Sequence, residues 1–167
     1  MTRPSKKEWL MSIAIMNAVR SSCSRRKVGA VITDRNHYIL SCGYNGPPSG
    51  MPNCGDSLSR CEGKDAASGT DLDMCQAIHA EQNAIARLRA ANEACALYVT
   101  TEPCISCAKV LSATPIQHVY FLQKYPHSDF QTYWKRCGRQ SYHLELTPWL
   151  SLLSDILGTE AADSFGL

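Results

Sequence analysis

The residues Ala96-Leu97-Tyr98-Val99-Thr100-Thr101-Glu102-Pro103-Cys104-Ile105-Ser106-Cys107-Ala108-Lys109-Val110-Leu111-Ser112 decide the fold. The first six are short, apolar and rich in β-formers, which suits a central strand. From 104 to 112 the apolar spacing turns helical, and 118–122 is again a short β-rich run. Strand, helix and strand in so few residues imply a parallel crossover. Working outward, the helical stretch at 79–91 also precedes a strand, which fits a second crossover. Residues 28–33 and 38–44 read as strands joined by the turn-rich Asp34-Arg35-Asn36, a hairpin. The whole order is helix, strand, strand, long polar loop, helix, strand, helix, strand, helix, strand. That is an α/β pattern.

The chain has 167 residues, close to the roughly 150 expected of one domain, so residues 1–167 are read as a single unit. Its last stretch, about 147–167, reads as an extension in which Trp149, Leu150, Leu152, Leu153, Ile156 and Leu157 suggest an amphipathic helix. Hydrophobic residues make up 44% and charged residues 19%, which excludes a disordered chain. A formal net charge of +2 is too small for a general nucleic-acid binder, while a small anionic ligand fits. No apolar run approaches the roughly 20 residues needed to cross a bilayer. Lys6 and Lys7 precede an apolar stretch that faintly resembles an export signal, but Ser12 and Asn17 interrupt it and Arg20 follows. An ordinary buried helix is expected there, with Trp9, Ile13, Met16, Tyr120 and Phe121 in the core.

Nine cysteines, an odd number, without an export signal point to a reducing, cytoplasmic setting in which clustered thiols bind metal or catalyse. Residues 46–75 carry three of them together with five glycines and three prolines, a long loop that needs something to order it. Cys42, Cys95 and Cys137 are expected to pack as small hydrophobes, and His37, His118 and His143 to be no ligands.

The chemistry concentrates in His79-Ala80-Glu81 and, after a gap of 21 residues, Pro103-Cys104-Ile105-Ser106-Cys107. One imidazole and two thiolates neutralise Zn²⁺ and leave a fourth position for water, as a catalytic site requires. Cys104 and Cys107 stand three apart at a helix start and therefore share a face, with Pro103 suited to that start. His79 also opens a helical run, so two positive helix ends would face the ion. Glu81 needs no ligand role and is placed to shuttle protons. The alternatives are a structural zinc knuckle or buried thiols.

H-x-E followed by P-C-x-x-C is the signature of zinc nucleobase deaminases. The segment from His79 to Ile85, the Thr101-Glu102-Pro103-Cys104 approach and Cys107 resemble the cytidine and deoxycytidylate deaminase superfamily. Val28-Gly29-Ala30, Gly43-Tyr44-Asn45-Gly46 and Lys124-Tyr125-Pro126-His127-Ser128-Asp129 are similar to its deoxycytidylate (dCMP) deaminases, over residues 1 to about 146. The resemblance implies a three-layer α/β/α sandwich with a mixed five-stranded sheet. It also implies hydrolytic conversion of dCMP to dUMP and ammonia, supplying thymidylate synthesis. Glu81 would move a proton from zinc-activated water to ring N3 and then to the departing amine.

Other residues carry over in the same way. Asn45 would contact the sugar, although a ligand-free turn is the alternative. Arg25, Arg26 and Lys27 would hold the 5′-phosphate, unless they form a solvated loop. Tyr44, Ala80 and Tyr125 complete the expected substrate contacts, with His127 beside them. Phage and bacterial relatives often carry a second, structural zinc. Cys23 and Cys54 match its positions, and Cys61 and Cys75 match it by residue type, against a reading of four unconnected thiols. The resemblance further implies a homo-oligomer, a hexamer in many relatives, with dCTP and dTTP as effectors. The rival functions are a tRNA adenosine deaminase, a free cytidine or deoxycytidine deaminase, and a non-catalytic zinc-binding interaction module.

Overall fold

The computed structural model describes residues 3–56, 61, 75–125 and 128–145. The expected C-terminal extension, Pro126, His127 and most of the 57–74 stretch lie outside the described residues. Along the chain run α1 (Lys6–Val19), β1 (Gly29–Thr33), β2 (Ile39–Tyr44), α2 (Ala80–Ala86), a 3-10 turn (Ala91–Glu93) and β3 (Ala96–Thr101). Then follow α3 (Ile105–Ser112), β4 (His118–Gln123), α4 (Phe130–Arg136) and β5 (Gln140–His143). The element order matches the sequence reading throughout. The second helix is shorter than the spacing over 79–91 suggested, because Arg87 already closes it and a 3-10 turn follows.

The sheet has the order β2-β1-β3-β4-β5. β1 pairs antiparallel with both β2 and β3, while β3, β4 and β5 run parallel. The two β3–β4–β5 connections are therefore adjacent crossovers, and the β2–α2–β3 connection steps over β1. Asp34 Oδ1 accepts from the N–H groups of Asn36 and Tyr38, and His37 takes φ 69°, which builds the hairpin turn. A register shift between Ile32 and Thr33 follows from that turn.

Each face of the sheet buries its own core, giving three layers. On one side α1 packs Leu10, Met11, Ala14 and Ile15 on Val31, Tyr98 and Tyr120. On the other, α2, α3 and α4 pack Ala80, Ala84, Ala108, Leu111, Phe130 and Trp134 on Ile32, Leu97, Val99, Val119 and Phe121. β3 is buried at all six positions, as a strand covered on both faces must be. Gly43 sits where a Cβ would strike the Ala80 carbonyl, so its lack of a side chain lets α2 lie directly on β2. Trp9 and Met16 are not core: they are 45% and 52% exposed on the outer side of α1. The inward stripe is instead the 10, 11, 14, 15, 18 set, and Ser12 is buried with its hydroxyl donating to the Glu8 carbonyl. Cys137 also departs from expectation, lying exposed at the end of α4.

Candidate active site

The parallel strands bring their C-terminal ends to one edge, and there the starts of α2 and α3 meet. His79 is the N-cap of α2, with extended backbone, and its N–H donates to Gln82 Oε1 at 3.0 Å. Cys104 is the N-cap of α3, and its Sγ accepts from the Cys107 N–H at 3.5 Å. Pro103 thus stands just outside the helix and not in its first turn. His79 Nδ1 lies 3.5 Å from Cys104 Sγ and 3.3 Å from Cys107 Sγ. Among the described residues these three form the group whose ligand atoms all lie within 4.8 Å of one another. Bonds of about 2.3 Å to sulfur and about 2.0 Å to nitrogen put the ligand atoms of a tetrahedral zinc roughly 3.5 to 3.8 Å apart. Of the two nitrogen–sulfur distances, that to Cys104 falls at this spacing and that to Cys107 about 0.2 Å inside it, and the donor set is one zinc favours.

Within the cluster the two thiols share one proton and shift in opposite directions. The Cys104 thiol is pulled down to about 4, first by the hydrogen bond from the Cys107 thiol and then by His79 and the Cys107 N–H, all against burial. Cys107 moves up because its proton is held in that bond, with burial and the Glu81 charge adding. His79 is raised chiefly by its bond to Cys104. Glu81 is 4% exposed in the first turn of α2, and burial pushes its carboxyl up against the pull of His79. A carboxyl with that shift can hold a proton nearer neutral pH than a solvated one.

The expected substrate residues gather beside this cluster to different degrees. Arg26 lies with its guanidinium 5.7 Å from the Tyr125 ring centre, and its Nη1 is buried without a hydrogen-bond partner among the described residues. The Tyr125 hydroxyl is raised by burial and the Cys104 charge and lowered by Arg26 and Arg25, which puts all four within electrostatic reach. Ala80 is buried at the start of α2. Tyr44 ends β2, and its carbonyl accepts from Asn83 Nδ2. Lys27 is partly exposed between Arg26 and Val28. Asn45 turns inward: Oδ1 accepts from Val28 N–H and the Ser21 hydroxyl, each at 2.7 Å, and Nδ2 donates to the Arg26 carbonyl at 2.8 Å. Its amide therefore fixes the Arg26 backbone, and one Nδ2 hydrogen is left for other contacts.

The second cysteine set is less closely gathered: among the described residues Cys23, Cys54, Cys61 and Cys75 do not form a group within 4.8 Å as His79, Cys104 and Cys107 do, yet they act on one another. The Cys54 thiol is pushed up to about 11 by burial, then by Cys61 and Cys23, with a hydrogen bond to Cys61 and a contribution from Cys75. Glu102, within the Thr101-Glu102-Pro103-Cys104 approach, is 4% exposed, and its hydrogen-bond partners lie 23 and 29 residues further along the chain, so the local sequence does not mark its role.

Residues 4–123 match the family profile described as the cytidine and deoxycytidylate deaminase zinc-binding region. The chain is 37% identical over 127 residues to a deoxycytidylate deaminase of Mycobacterium phage D29, covering 72% of this chain and 97% of that one. It is 36% identical over 127 residues to a deoxycytidylate deaminase of Schizosaccharomyces pombe, covering 74% of this chain and 38% of the yeast protein. The match thus spans well under half the length of the yeast relative. The solved dCMP deaminase of cyanophage S-TIM5, in complex with dCMP and dUMP, is similar with TM-score 0.68 and 29% identity, covering 86% of this chain and all of that chain.

Proposed function

Since the chain belongs to the cytidine and deoxycytidylate deaminase zinc-binding family, we propose that it hydrolyses dCMP to dUMP with release of ammonia. One observation carries the choice of a nucleotide: the buried, unpartnered Nη1 of Arg26, whose guanidinium lies 5.7 Å from the centre of the Tyr125 ring, itself within electrostatic reach of Cys104 and Cys107. A buried guanidinium N–H left without an acceptor is costly, and a phosphate on the substrate supplies what it lacks. Relatives named deoxycytidylate deaminase and the dCMP-bound phage structure support the same substrate.

His79, Cys104 and Cys107 hold the catalytic zinc in this reading. When bound, that ion supplies the Lewis acid that brings a water's pKa toward neutrality. The chain's own part is proton transfer and orientation. Glu81 takes a proton from the attacking water and gives it to ring N3, then takes the proton of the hydroxyl newly attached at C4 and delivers it to the amine, which leaves as the C4 carbonyl forms, so that dCMP and water become dUMP and ammonia. Arg26 and Lys27 receive the 5′-phosphate, with Tyr125, Tyr44, Ala80 and the remaining Asn45 N–H lining the nucleotide.

The proposal includes a second, structural zinc on Cys23, Cys54, Cys61 and Cys75. The mutual influence of these thiols at Cys54 supports it, because groups that repel as anions are what a shared cation relieves. It also includes a single domain, assembly of identical chains into a hexamer, control by dCTP and dTTP, and a cytoplasmic setting. Exposed Ile105 and Val110 on α3 and Trp9 and Met16 on α1 support self-association, and among the described residues no helix is long and apolar enough to cross a membrane.

An ammonia-release assay across dCMP, CMP, deoxycytidine, dCTP and an adenosine-containing tRNA stem-loop tests the reaction. A preference for dCMP over deoxycytidine of about a hundredfold in kcat/KM is expected, equivalent to ~3 kcal/mol of phosphate contact. In Arg26→Ala most of that preference should disappear. Equal wild-type rates on dCMP and deoxycytidine indicate a nucleoside deaminase, preferential attack on the stem-loop a tRNA deaminase, and no release from any substrate a non-catalytic zinc module.

A further inference from the structure

Glu102 immediately follows the strand that delivers Cys104, two residues before that thiol, and is almost wholly buried. A carboxylate there is expensive unless its oxygens are satisfied. Both are used, and both reach the same neighbouring segment. Oε2 accepts from the Tyr125 backbone N–H at 3.0 Å, and Oε1 accepts from Gln131 Nε2 at 2.7 Å. The Glu102 N–H donates to the Gln123 carbonyl at 2.7 Å, and the Ser128 hydroxyl donates to the Pro103 carbonyl at 3.1 Å. Four hydrogen bonds therefore fasten the stretch around Tyr125 to Glu102 and Pro103.

What this fastening places is the Tyr125 ring, on which the Arg26 guanidinium rests. Arg26 is held from its other side as well, by Asn45 Nδ2 on its carbonyl. Backbone and guanidinium thus each have a fixed neighbour, and the unpartnered Nη1 has a defined position. Packing alone would be served at position 102 by an apolar residue. Only a carboxylate accepts from a backbone N–H and a side-chain amide at once while offering no donor of its own.

We propose that Glu102 is a positioning residue for nucleotide selectivity: by anchoring Tyr125 it pre-orders Arg26 for the 5′-phosphate. The inference rests on the dCMP reading above and deepens it. A pre-ordered guanidinium loses less freedom when the phosphate arrives, so the effect belongs to nucleotide binding and not to chemistry at the ring.

The experiment compares kcat/KM for dCMP and for deoxycytidine in wild type, Glu102→Gln, Gln131→Ala, Tyr125→Leu and Glu102→Gln/Tyr125→Leu, with zinc content measured on each. Glu102→Gln turns an N–H against one of the two donors. It should raise KM for dCMP about tenfold with kcat little changed, and lower the dCMP-to-deoxycytidine ratio by the same factor, with zinc retained. Gln131 is exposed, so Gln131→Ala keeps the fold even if the Glu102 variant does not. It should lower the ratio about threefold. The double variant should fall little below Tyr125→Leu, because both changes act through one ring. Equal losses on both substrates, an unchanged ratio, or additive effects in the double variant overturn the inference. A wild type that does not prefer dCMP overturns the reading beneath it, and is seen before any variant is made.

Discussion

The two cysteine sets of this protein differ in what holds them. His79 and Cys104 are N-caps of helices packed on a fully buried strand, and their side chains meet through hydrogen bonds of 3.3 to 3.5 Å. Cys23, Cys54, Cys61 and Cys75 themselves stand in no helix or strand. The first set is shaped by the sheet before any ion arrives. The second has no comparable scaffold, so an ion there would shape its surroundings. Catalytic zinc needs the former arrangement, since an open position survives only if the protein, and not the metal, sets the geometry. A structural ion suits the latter, because its binding energy goes into ordering the chain that holds it.

The largest expected effects break the first set. Cys104→Ala should lose the catalytic zinc and all measurable deamination while its circular dichroism stays that of the wild type, because α3 and β3 are packed independently of the thiol. Glu81→Gln should keep the zinc and still lose about a hundredfold to ten-thousandfold in kcat, the range for removing a general acid–base group. A Glu81→Gln enzyme within tenfold of wild type would remove the carboxylate from the proton path.

Smaller effects are expected from the second set. Protein purified without added metal should hold close to two zinc ions per chain, and Cys54→Ser close to one, by elemental analysis. The variant should melt about 5 °C lower or more, since it loses an ion that binds only the folded form, while kcat on dCMP stays within about threefold. One zinc in both proteins with identical melting would show that these four thiols hold no metal, and the contrast between the two sets would reduce to one site and one group of reduced cysteines.

That contrast also explains what the sequence makes legible. Periodicity finds the sheet and helices because burial on two faces imposes it, as in β3 and the stripe on α1. It misplaces Trp9 and Met16 because an apolar residue on an amphipathic helix looks alike whether it faces the sheet or water, and the 10, 11, 14, 15 set wins the inward side. The His79, Cys104 and Cys107 cluster is legible because its residues stand at helix starts at fixed spacing. Glu102 and Ser21 are not, since their roles lie in hydrogen bonds to residues 19 or more positions away in the chain or to backbone atoms, which no local pattern encodes. Asn45 shows the same limit. Its residue type suggests a ligand contact, and only the structure reveals that most of its amide is engaged with Val28, Ser21 and Arg26.

The smallest expected effect joins the two regions. Ser21 is buried and bonded to a residue of each: its hydroxyl lies 2.7 Å from both the Asn45 carbonyl and Asn45 Oδ1, sharing one hydrogen, and accepts from the Cys23 N–H at 3.2 Å. Ser21→Ala leaves those groups short of a partner and should cost ~1 to 2 kcal/mol of stability in urea unfolding. Because Asn45 holds Arg26, KM for dCMP should rise about twofold to threefold. Because Cys23 carries one of the four thiols, release of the second zinc to a chelator should quicken in the same variant. Both shifts together make residue 21 a mechanical link between substrate pocket and structural ion. Loss of stability with neither shift would show that the two sites, though neighbours, are ordered independently, and that the scaffolded set owes nothing to the unscaffolded one.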